Sequence, residues 1–137
     1  MPCADPFDDH DWLFSVDWDG ARALLYLDPG GSVRIQGEMG GDLARRFPDV
    51  SAVASIKGGR GAVLDGVIAV LDREGRPDLA GFGRRIATGP AAAADLPAVY
   101  LSFDVLHLDG RSTIAWPLDR RLDALSDLCL LYTSRCV

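Results

Sequence analysis

The run "AVLDGVIAVLD", residues 62–72, constrains this chain most. A short apolar stretch bounded by turn signals fits a buried central strand pair or one bulged strand, and Gly66 is the natural bulge. A strand of that kind needs cover, so the remaining segments are read as what surrounds it.

Upstream, "WLFSVDW" and "ARALLYLD" carry strand composition and flank a Trp18-Asp19-Gly20 turn, which predicts a hairpin. "DPGG" at 28–31 predicts a turn before a strand around "SVRIQG". "GDLARRFPDVSAVASI" predicts a helical turn, a break at Pro48 and a short helix capped by Asp49. Downstream, "DLAGFGRRI" suggests a helix from about Leu79 to Ile86 despite its glycines. "AVYLSFDVLHLDG" is the clearest strand, "STIAWPL" a further short one, and "DRRLDALSDL" has helical leucine spacing. Strands with few long helices imply an α+β domain of mainly antiparallel sheet with short helices. Residues 1–11 read as a flexible lead-in, 12–128 as the domain and 129–137 as an unassigned tail.

Charge and composition exclude several classes. No apolar run reaches the roughly 20 residues of a membrane span. The N-terminus lacks the basic and apolar regions of a signal peptide, so the expected location is cytoplasmic. Cys3, Cys129 and Cys136 have no metal spacing, and His10 and His107 are too separated for a zinc site; no metal ligands are assigned. A net charge of −6 disfavours nonspecific phosphate binding by the surface as a whole. The pairs Arg45-Arg46, Arg84-Arg85 and Arg120-Arg121 are candidates for a local basic groove, with the solvated face of a short helix as the favoured reading for each. Lys57 is the only lysine, in what reads as an exposed turn.

Four stretches in order, "DWDGARAL", "GGDLARRFPDV", "AVLDGVIAVLD" with "GRPDLAGFGRRI", and "YLSFDVLHLDG", resemble the nucleotidyltransferase (adenylation) domain of ATP-dependent DNA ligases of the bacterial repair type. The resemblance implies the N-terminal part of that nucleotidyltransferase, ATP-grasp-like adenylation fold. It also implies ATP and Mg²⁺ as cofactors and DNA as partner. In the family, the amine of a Lys-x-Asp-Gly motif attacks the α-phosphate of ATP and forms lysyl-AMP. Trp18, Asp19, Gly20 and Arg22 match the motif, and Asp17 occupies the lysine position. The family's strand arginine before Phe-Pro corresponds to Glu38, and the glutamate of its Asp-Gly-Glu corresponds to Val67. The adenine-stacking phenylalanine is retained as Phe103.

The resemblance therefore implies Trp18, Arg22 and Phe103 as nucleotide-binding residues, with Asp17, Glu38 and Val67 as degenerate positions and no intact catalytic residue. A triphosphate would meet carboxylates where the family offers cations. A like-charge pair at ~4 Å costs ~1 kcal/mol in water and ~4 kcal/mol at an effective dielectric of 20. Beside these readings, Phe103 also suits a buried core position, Trp18 also suits packing over the hairpin, Arg22 also suits an ion pair with Asp17 or Asp19, and Asp65 suits a bulge as well as a ligand site.

The family's later Glu-Gly and Lys-x-Lys motifs and oligonucleotide-binding-fold domain have no match here. "CLLYTSRCV" resembles the spurious end of a truncated translation, and a domain cut there is expected to be marginally stable. The leading expectation is a ligase-like adenylation domain unable to form lysyl-AMP. A non-catalytic pseudo-ligase acting with another DNA-repair protein, and an unrelated small α+β interaction domain, stand beside it.

Overall fold

A computed structural model describes residues 7–55 and 60–132; Lys57, Cys3 and Cys136 lie outside them. The described chain is α+β. Five strands, β1 (Ala21–Leu27), β2 (Val33–Gly37), β3 (Ala62–Val70), β4 (Ala98–Leu108) and β5 (Arg111–Ser112), form one antiparallel sheet in the order β2-β1-β3-β4-β5. Three α-helices, α1 (Pro48–Ser55), α2 (Leu79–Thr88) and α3 (Leu118–Tyr132), complete it with a short 3₁₀ turn at Gly89–Ala92.

Alternation along the strands sorts side chains onto two unequal faces. Ala23, Leu25 and Leu27 of β1, Ile35 of β2, Leu64 and Ile68 of β3 and Val105 and Leu108 of β4 form the main core. Phe47, Val50, Leu125 and Leu128 close it from the helical side, with Phe82 and Ile86 of α2 packed against it. Phe47 and Phe82 stack with ring centroids 6.3 Å apart. The opposite face carries only a small cluster of Val67, Ala69 and Leu101, against which Trp18, Leu71 and Val99 pack. That second face is where the candidate site lies.

The apolar run forms one central strand, β3, nearly all of it buried. Its register against β4 slips at Asp65/Gly66 and again at Val63/Leu64. Leu106 and Phe103 are the extra residues, both on β4; Phe103 falls between Asp104, the partner of Asp65, and Ser102, the partner of Gly66, across from the expected position at Gly66. Gly66 is still required: a Cβ there would stand 2.5 Å from the Leu101 carbonyl oxygen and 2.7 Å from Tyr100 Cζ. The tyrosine ring crosses over it, bringing Oη to 2.8 Å from the Ala23 carbonyl oxygen and 3.0 Å from that of Leu64.

Several expectations are corrected. "WLFSVDW" is not a strand, and no hairpin forms at Trp18-Asp19-Gly20. Both edges of β1 are taken, by β2 and β3, so the preceding segment has no edge of β1 to pair with. Gly20 instead comes into close approach with β3, where a Cβ would fall 2.2 Å from the Ile68 carbonyl oxygen. "STIAWPL" is not a strand either. Thr113 turns inward, its hydroxyl donating to the Val105 carbonyl, and the Trp116 N–H closes a turn onto Thr113.

Asp49 lies in the first turn of α1 without capping it. Its carboxylate instead takes the Arg85 guanidinium and the Ala98 N–H. The Arg84-Arg85 pair is split: Arg85 is fully buried in the protein. Arg121 is half-buried and pairs with Asp104, while Arg45, Arg46 and Arg120 are exposed as expected. Helix α2 matches its prediction, with Asp78 as N-cap accepting from the Gly81 N–H. Helix α3 continues through residues 129–132. Among the described residues no helix is long and apolar enough to cross a membrane.

Candidate nucleotide site

β1 and β3 place the central pair of the open face. Arg22 lies opposite Val67, and Leu24 opposite Asp65, so all four point to the same side. Asp65 is a lone carboxylate within an apolar strand, where burying a polar group without a partner is costly. Arg22 supplies it with a two-point contact, Nη2 at 2.7 Å from Oδ2 and Nε at 3.1 Å from Oδ1. The pair is asymmetric in solvent: the Arg22 side chain is 58% exposed, that of Asp65 only 11%. Arg22 thus answers to Asp65, not to Asp17 or Asp19. The hydrogen bond and charge of Asp65, helped by the charge of Glu38, raise the Arg22 pKa further, so the guanidinium stays ionised.

A cavity of about 480 Å³ opens beside this pair, lined by Arg22, Ala23, Leu24, Gln36, Gly37, Glu38 and Asp65. Gln36 Oε1 is engaged by Tyr26 Oη at 3.1 Å and by Arg34 Nη1 at 3.4 Å. Of the residues singled out from sequence, Arg22 and Glu38 line the cavity and the other four do not. Phe103 is 37% exposed, which removes it from the core, and the Arg22 guanidinium lies 5.7 Å from its ring centroid. Val67 and Trp18 pack together on the same face, so the position corresponding to the family's glutamate is part of an apolar contact. Asp17 is exposed in the irregular segment before Gly20.

From sequence Asp65 suits a turn or bulge as well as a ligand site, and Gln36 has no role assigned. Asp65 carried a usable signal, since a single acid inside a buried strand must find a cation. Gln36 carried none.

Among the lining residues Arg22 is the one cation, and it is already held by Asp65, while Glu38 adds a second carboxylate. These residues do not fit a triphosphate. Among the described residues no group of three or more His, Cys, Asp or Glu is placed to hold a metal ion.

The antiparallel sheet, its helical cover on one side and the Arg22–Asp65 cavity on the other define a nucleotidyltransferase-type fold. The family model for the ATP dependent DNA ligase domain matches residues 4–135, and the chain belongs to that family. It is 32% identical over 117 residues to the multifunctional non-homologous end joining DNA repair protein LigD of Mycobacterium tuberculosis, covering 85% of this chain and 14% of that protein. It is 38% identical over 116 residues to a probable DNA ligase of Streptomyces avermitilis, covering 80% of this chain and 22% of that protein. Among solved structures, the ligase domain of M. tuberculosis LigD superposes with a TM-score of 0.72 at 30% identity, covering 84% of this chain and 36% of that one. A mycobacterial DNA ligase D complexed with ATP and MES gives 0.74 at 31% identity, covering 88% and 37%. The chain thus spans well under half the length of each of these relatives.

Proposed function

We propose that this chain is a ligase-type adenylation module that does not form lysyl-AMP. The observation that carries the reading is Asp17, a carboxylate directly before the Trp18-Asp19-Gly20 match, where the family's nucleophilic amine stands. A carboxylate cannot form the phosphoramidate, and lysine nucleophiles act only as neutral amines. The cavity agrees with this: its cation is neutralised by Asp65, and Glu38 replaces a family arginine. DNA is the macromolecular partner that family membership suggests.

Incubation of the protein with ATP labelled at the α-phosphate, with Mg²⁺, followed by denaturing electrophoresis, tests this. No label should remain on the chain. A stable AMP adduct on any residue overturns the reading.

One observation favours a second reading, a non-catalytic pseudo-ligase that engages another DNA-repair protein. Trp12, Leu13, Phe14 and Val16 are each more than half exposed, an unusual apolar display for one short segment. Phe7 meets both Trp12 and Phe14 edge-on, with ring centroids 5.5 and 5.2 Å apart. This reading expects partner capture that is independent of ATP. A pull-down yield that rises with ATP counts against it.

A further inference from the structure

Building on the proposed reading of this face as the nucleotide site, we infer that the cavity takes a neutral nucleoside through its ribose diol and excludes the triphosphate. The lining carries one guanidinium and two carboxylates, which leaves one net negative charge. Arg22 is a weak phosphate clamp. Its Nε and Nη2 are spent on Asp65, which leaves Nη1 as the one unengaged nitrogen, and drawing the guanidinium away would leave that largely buried carboxylate unpaired. A phosphate chain would therefore gain little from Arg22 and be repelled by Glu38.

The same groups suit a diol. Glu38 lines the cavity and makes no hydrogen bond or ion pair among the described residues, so its oxygens are open acceptors for two adjacent hydroxyls. Carboxylates only accept, and hydroxyls can donate to them without a charge penalty. Gln36 holds its carbonyl oxygen toward Tyr26 and Arg34, which leaves its amide N–H groups as donors. Leu24, Ala23 and Gly37 supply apolar wall, and about 480 Å³ lies within the range of small-molecule sites.

The test is isothermal titration of the full chain with adenosine, 2′,3′-dideoxyadenosine and ATP, each with and without Mg²⁺. Adenosine should bind saturably. Dideoxyadenosine should bind about ten-fold more weakly through loss of its hydroxyl donors. ATP should also be weaker than adenosine by about ten-fold or more, and added salt should narrow that gap. Glu38 is exposed and makes no hydrogen bond or ion pair among the described residues, so Glu38→Gln should leave the urea midpoint unchanged while narrowing the adenosine-to-ATP ratio. ATP binding as tightly as adenosine in either buffer overturns the inference. So does equal binding of the dideoxy compound, an unchanged ratio in Glu38→Gln, or no binding of adenosine. None of these outcomes bears on the adduct experiment, which reads covalent chemistry on any residue and not reversible binding.

Discussion

Arg85 Nη2 stands 2.8 Å from Asp49 Oδ1, with the arginine wholly buried, so one ion pair joins the end of α2 to the start of α1. The second carboxylate oxygen of Asp49 accepts the Ala98 N–H at 2.6 Å, which also anchors β4. Arg85 Nη1 donates to the Gly89 carbonyl, its guanidinium lies 5.3 Å from the Phe47 ring centroid, and Nε has no acceptor among the described residues. Removing one partner of a buried pair costs about 3–5 kcal/mol because the other is left uncompensated. Arg85→Ala should therefore consume much of the roughly 5–15 kcal/mol that holds a domain folded. Urea unfolding monitored by circular dichroism checks this. A midpoint within error of the wild type would refute it.

The Arg22–Asp65 pair should respond unequally to loss of either member. Arg22→Met leaves an unpaired carboxylate within β3 and should cost about 1–3 kcal/mol. Asp65→Asn leaves Arg22 free to enter solvent and should cost less than about 1 kcal/mol. Comparing the two urea midpoints decides the order, and the reverse order would mean that Asp65 is not the member that depends on its partner.

Gly66→Ala places a methyl group against the Leu101 carbonyl and the Tyr100 ring. Overpacking of this kind costs about 1–3 kcal/mol. Gly30→Ala meets nothing within 4 Å and serves as the control. Its change should stay within about 0.5 kcal/mol, as for most surface substitutions. Thermal melts of the two variants should separate by several degrees.

Alkaline stability should depend on Tyr100. Burial, reinforced by the nearby charge of Asp65, raises the phenol pKa well above its ordinary value. The neutral phenol is thus favoured in the folded state. Its contribution is complete below the unfolded pKa of about 10 and is lost as pH rises beyond that value. The urea midpoint should fall as pH rises from about 10 to about 11, and fall less steeply in Tyr100→Phe. Equal slopes for the two proteins would show that another group governs the loss.

The central strand, the β1–β2 hairpin and helix α2 were legible because each has local cause: an apolar run, a "DPGG" turn, an Asp78 cap. What misled was the lateral order of strands. "WLFSVDW" has strand composition, but no local signal says that both edges of β1 are already filled. Arg85 reads as surface in "GRRI" because its partner lies 36 residues away in another helix. The site divided in the same way. Arg22, Glu38 and Phe103 were accessible from motif resemblance, and Arg22 and Glu38 do meet at the cavity. The Arg22–Asp65 contact depends on register between two strands 43 residues apart, which neither composition nor spacing encodes.

The bulge at Phe103 in β4 carries a consequence of its own. With it, Phe103 lies beneath Arg22 on the open face, while Asp104 is bonded at 2.9 Å to Arg121 of α3. The bulge thus sets Phe103, beside Arg22, one peptide bond away from Asp104, the residue that α3 holds through Arg121.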